Sequence, residues 1–104
     1  MSRGPDVATL LERALLESAR AAGCPLGLDL SAMTRWASVT FTGAKHLLRL
    51  AGETSPELDA WLAALPETEF ALRGHLVADM VVLSVRREAG AAVLVLEVLT
   101  VEQD

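Results

Sequence analysis

The sequence predicts an α+β fold in the order αββαββ, with a four-stranded, mainly antiparallel sheet carrying two helices on one face, in one domain over residues 1–104. Three observations point there. Residues from Phe70 to Val101 alternate as two apolar strands, two shorter stretches repeat at helical spacing, and the 104 residues suffice for one modest core but not two. In the C-terminal stretch, Phe70, Leu72, Leu76, Ala78, Met80 and Val82 fall on one side of an extended strand. Val77, Val81, Leu83 and Val85 fall on the other. Ala92 to Val101 behaves the same way, and Glu88-Ala89-Gly90 between the runs is expected to form a three-residue hairpin loop.

The first helix is expected after Gly4-Pro5, with Asp6 as N-cap and Val7, Leu10, Leu11, Ala14, Leu15, Ser18 and Ala22 as its inner stripe. Arg13 and Glu17 sit four apart on the outer face, and Arg20 suits the last turn. Gly23 supplies a left-handed stop, and Pro25 prevents resumption. Cys24 to Arg35 alternates only weakly, through Leu26, Leu28 and Leu30, and is expected to be a loop packed by its leucines.

Trp36 to Gly52 is expected to be a hairpin turning at Gly43-Ala44. Phe41 then lies opposite His46 on an apolar face, and Trp36, Lys45, Leu47 and Arg49 collect on the other, where Trp36 and Arg49 are close enough to stack. The second helix begins at Ser55 as N-cap with Pro56 at its first position, buries Leu58, Trp61, Leu62 and Leu65, and ends at Pro66. The third strand, Phe70 to Arg86, is longer than its partner, and Gly74 is expected to mark a bend within it where it leaves one neighbour for another.

Composition excludes several classes. A net charge of −5 and scattered basic residues provide no counterion-releasing stripe for nucleic acid, and anionic membranes are disfavoured in the same way. Mean hydropathy is +0.38, yet no uninterrupted apolar run reaches the length of a membrane helix. Charges at Glu12, Arg13, Glu17 and Arg20 break up any leader-like segment, so a cytoplasmic location is expected. Cys24 is the single cysteine, suited to a buried structural thiol. Eight of the nine basic residues are Arg, and Ile, Asn and Tyr are absent, a bias of GC-rich bacterial coding sequence.

No nucleotide-binding glycine motif, nucleophile elbow, zinc-binding His motif or calcium loop occurs, so no catalytic, cofactor or metal residue is assigned. The polar residues that interrupt apolar strands are His46, His75, Asp79 and Glu97. His46 is expected as a covered histidine on the core face. Pairing from the expected loop sets Val81 against Glu97 and Asp79 against Leu99, so His75, Asp79 and Glu97 share the outer face with Val77, Val95 and Leu99. Two helices cover only one side of such a sheet, which leaves the outer side of the second hairpin for something else.

The function expected from this is a noncatalytic interaction or assembly module, forming a homodimer through the outer face of the C-terminal hairpin or docking a protein partner there. The alternative is a small-molecule binding domain whose apolar pocket carries the acidic pair Asp79 and Glu97, suited to a cationic ligand. A small enzyme is a third reading, and it requires His75, Asp79 and Glu97 to converge.

Overall fold

A computed structural model describes residues 6–103. The elements run α1 (Val7–Ala21), β1 (Leu26–Ala37), β2 (Thr42–Glu53), α2 (Pro56–Ala64), a 3-10 turn (Leu65–Glu67), β3 (His75–Glu88) and β4 (Ala91–Glu102). The α+β architecture is the one expected. All strand neighbours are antiparallel in the order β1-β2-β4-β3, so the two hairpins join through β2 and β4 at the centre of the sheet.

Both helices start as the sequence indicates, although Gly4 and Pro5 lie outside the described residues. The Asp6 carboxylate accepts from Thr9 N at 2.9 Å, and this bond to the charged form holds its pKa below the usual value. Ser55 caps α2 by accepting from Leu58 N at 3.0 Å. Gly23 ends α1 with φ of 85°. On the outer side of α1, Glu17 pairs with Arg20 rather than Arg13, which lowers the Glu17 pKa and raises that of Arg20.

The core is the layer between the helices and one face of the sheet. Val7, Leu11, Leu15 and Ala19 of α1, with Leu58 and Trp61 of α2, meet Leu48 and Leu50 of β2 and Leu94, Leu96 and Val98 of β4, all buried. Trp61 ties the two helices together, its indole N–H donating to Ser18 Oγ at 2.9 Å. Cys24 is buried in the same cluster, and desolvation pushes its thiol pKa up.

The stretch from Cys24 to Arg35, expected as a leucine-packed loop, instead supplies most of strand β1, Leu26–Ala37, paired with β2 along its length. A bulge between Leu28 and Leu30 explains the weak alternation: Leu28 pairs with buried Leu50, whereas Leu30, two residues on, pairs with exposed Arg49. The hairpin does not turn at Gly43-Ala44. Its loop is Ser38 to Phe41, closed by Ser38 N donating to Phe41 O at 2.7 Å and by Phe41 N donating to Ser38 Oγ at 3.0 Å. Phe41 therefore projects from the loop and does not face His46, whose partner is Met33. The faces of β2 are nevertheless as expected, with Ala44, His46, Leu48 and Leu50 buried and Lys45, Leu47 and Arg49 exposed.

Gly43 belongs to β2 opposite Trp36. A Cβ there would collide with the Thr100 carbonyl oxygen and lie 2.6 Å from the Trp36 ring, so only glycine fits.

The third strand begins at His75 rather than Phe70. Leu72 makes a single bridge to His75 around Gly74, which has φ of 80°, so the bend expected inside the strand is instead a tight turn ahead of its start. The second hairpin turns on two residues, Ala89 and Gly90, at φ of 53° and 81°, the left-handed pair of a tight type I′ turn. Arg87 therefore pairs with Ala92, one residue beyond the partner expected. A bulge between Val82 and Ser84 then restores the expected pairs Val81 with Glu97 and Asp79 with Leu99.

Candidate functional site

The face of the sheet away from the helices is where the chain leaves most apolar surface open. Register places its side chains in rows across β1, β2, β4 and β3. Trp36, Gly43, Val101 and Leu76 form the first row, and Thr34, Lys45, Leu99 and Asp79 the second. Ala32, Leu47, Glu97 and Val81 form the third, and Leu30, Arg49, Val95 and Ser84 the fourth. A fifth holds Ala51, Val93 and Arg86. Exposure of the large aliphatic residues here runs from 38% for Leu47 to 51% for Leu76, with Leu30, Val81 and Leu83 between. Val93, Val95, Leu99 and Val101 on the central strand are half-buried by their own neighbours.

Three of the expected outer residues, Val77, Val85 and His75, are on the other side. A bulge between Val77 and Asp79 shifts the strand by one position, so Val77 pairs with buried Thr100 and packs against the core. The bulge at Leu83 does the same to Val85, which pairs with buried Leu94. In exchange, Leu76 reaches the outer face opposite Val101. His75 lies on the helix side with Val77, so the trio of His75, Asp79 and Glu97 is divided by the sheet. Its Nδ1 is buried without a hydrogen-bond partner among the described residues.

Asp79 and Glu97 do share the outer face as diagonal neighbours. The Asp79 carboxylate accepts from Met80 N at 3.0 Å. Among the described residues, Glu97 and Lys45 are outside every ion pair, whereas the Arg49 guanidinium donates to Asp29 Oδ2 at 2.7 Å. Trp36 and Arg49 cannot stack as expected, because the true register sets them three rows apart, about 20 Å along the strands. The Trp36 ring instead covers Gly43, and its Nε1 is buried without a partner among the described residues.

On the helix side, His46 is buried and its Nε2 lies 2.9 Å from Thr100 Oγ1. Desolvation lowers its pKa; His75 acts in the same direction, while Glu12 and Asp6 oppose it. Four open concavities of about 300 to 470 Å³ lie at the α2 start, between α1 and Pro25, under Trp36 and beside Phe70. Asp79, Glu97, Val81, Val95 and Leu99 line none of these four. Among the described residues, no three His, Cys, Asp or Glu side chains are grouped to hold a metal ion, and no helix is long and apolar enough to cross a membrane.

Sequence reasoning missed Leu30, Ala32 and Leu76 as members of this face. Each lies just beyond a bulge or inside the stretch taken for a loop, and bulges carry no obligatory residue type. In comparisons with protein-family models, curated proteins and solved structures, nothing matches this chain.

Proposed function

We propose that this protein is a noncatalytic assembly module that pairs with a second copy of itself through the outer face of its sheet. The observation that carries the reading is the one-sided core: both helices pack on one face, and the opposite face keeps Leu30, Leu47, Leu76, Val81 and Leu83 in contact with water.

Size and charge favour a second copy as the occupant. Four strands of about twelve residues present a face about 19 Å by 40 Å, roughly 700 Å² on each copy, which puts a pair of them within the range of stable specific interfaces. The outer face holds three bases, Lys45, Arg49 and Arg86, against three acids, Asp79 and Glu97 within the rows and Asp29, the β1 bulge residue that pairs with Arg49. Their charges cancel, so the chain's net −5 resides elsewhere, and two identical faces meet without net repulsion. Glu53 and Glu88 lie beyond the fifth row, at the rim.

The buried Cys24 and the Arg-rich composition support a bacterial cytoplasmic setting for such a module. Light scattering on the purified protein tests the reading. A dimer is expected, converted to monomer by Val81→Arg or Val95→Arg. A monomeric wild-type protein at high micromolar concentration overturns it.

A further inference from the structure

We infer that the two copies are related by a two-fold axis running parallel to the strands between β2 and β4, and that Lys45 of each copy pairs with Glu97 of the other. This inference rests on the self-association proposed above and adds its geometry and its recognition rule.

When two copies of one sheet face stack isologously, the two-fold lies in the plane between them. It has two simple orientations. An axis across the strands at the central row sets every strand over its own copy with the rows reversed, which brings Glu97 onto Glu97 and Lys45 onto Arg49. Both are like-charge contacts shut away from water, where repulsion is least screened.

An axis along the strands instead sets β2 over β4 and β1 over β3, each row over itself. The bases of β2 then meet the acids of β4 and β3. Leu47 lies over Glu97 of the second copy, and Lys45, one row away, reaches the same carboxylate diagonally. Arg49 is already engaged by Asp29, so Lys45 is the cation left for Glu97. The apolar positions fit the same operation: Trp36 falls over Leu76, and Ala32, the small residue of its row, falls over Val81.

Lys45 and Glu97 are also diagonal neighbours within one chain, where they form no ion pair, so the test has to separate pairing between copies from pairing within one. Mixing two charge-reversal variants does this. Lys45→Glu alone and Glu97→Lys alone each create two like-charge contacts per homodimer and are expected to weaken dimerisation roughly tenfold or more. Mixed in equal amounts, they regain opposite charges at both contacts, and the heterodimer is expected to form at near wild-type affinity. Native mass spectrometry with one variant isotope-labelled counts the three species.

Statistical mixing of the two variants, or single variants that dimerise like wild type while Val81→Arg still gives monomer, overturns the Lys45–Glu97 pairing and leaves self-association standing. A monomeric wild-type protein overturns both.

Discussion

His46 Nε2 lies 2.9 Å from Thr100 Oγ1 across the β2–β4 seam, and both residues are buried beneath the helices. This pair puts polar groups into the aliphatic layer. The bond satisfies one imidazole nitrogen, and the Thr100 hydroxyl lies 3.4 Å from the Ala44 carbonyl. Thr100→Val keeps the shape of the side chain and removes the hydrogen bond. It is expected to cost about 1 to 3 kcal/mol in urea titration, the penalty for orphaning a buried polar group. A cost below about 0.5 kcal/mol, the scale of an ordinary surface change, would show that the pair contributes nothing to stability.

The same histidine makes stability depend on pH. Burial lowers its folded-state pKa below 6.5, so the unfolded chain binds the proton more readily than the folded one. Its contribution is complete above pH 6.5 and is lost as the pH falls below that value, until protonation of the folded form limits the loss. Asp6 and Glu17, whose pKa values are lowered from 3.8 and 4.5, act in a separate and more acidic window. Melting temperature is therefore expected to drop between pH 6.5 and pH 5 in the wild type, and His46→Gln is expected to flatten that segment. An unchanged slope in the variant would assign the dependence to other groups.

Trp61 is expected to be the largest single contributor on α2. The helix has nine residues, too short to persist in water alone, and Trp61 is buried in the core and bonded to Ser18 of α1. Trp61→Ala is expected to cost roughly 3 to 5 kcal/mol, and Trp61→Phe, which loses the Ser18 bond but keeps most of the packing, about 1 to 2 kcal/mol. Equal losses in the two variants would place the whole contribution in the hydrogen bond.

Gly43→Ala is expected to destabilise the fold by about 1 to 3 kcal/mol or more, because the added methyl meets the Thr100 carbonyl oxygen as well as the Trp36 ring. Side-chain movement relieves only the second clash. The double variant Gly43→Ala with Trp36→Ala should therefore remain at least as unstable as Gly43→Ala alone, and recovery in the double variant would show that the ring sets the constraint.

The residues that speak clearly in the sequence are those whose chemistry is local. Asp6, Ser55 and Pro56 announce helix starts, Gly23 a helix end, and Ala44 to Leu50 keep strict alternation because β2 runs without a bulge. The bulges beside Asp29, Ala78 and Leu83 are silent: each turns over the face of every residue beyond it without demanding a residue type. Gly43 misleads for a related reason, since a glycine kept clear for a neighbouring strand's carbonyl and a tryptophan ring reads the same as one at a turn. The second hairpin was partly legible because two departures cancel: the turn is one residue shorter than expected, and the Leu83 bulge restores the count before Val81 and Asp79.

That cancellation stops at Ala78, and the consequence separates two valines that simple alternation puts on the same side. Val77 packs toward the helices, whereas Val81 is exposed on the outer face. A carboxylate at position 77 has to displace core contacts at the edge of the layer beneath α1 and α2, and Val77→Asp is expected to cost about 2 to 4 kcal/mol. Val81→Asp leaves that layer intact. In dilute solution, where association adds little, it is expected to cost less than about 1 kcal/mol, while at high concentration it abolishes the dimer. Denaturant titration at low concentration and light scattering at high concentration read the two effects separately. If Val77→Asp proves as mild as Val81→Asp in the dilute titration, the strand runs without the bulge at Ala78, and His75 and Val77 rejoin Asp79 and Glu97 on the outer face.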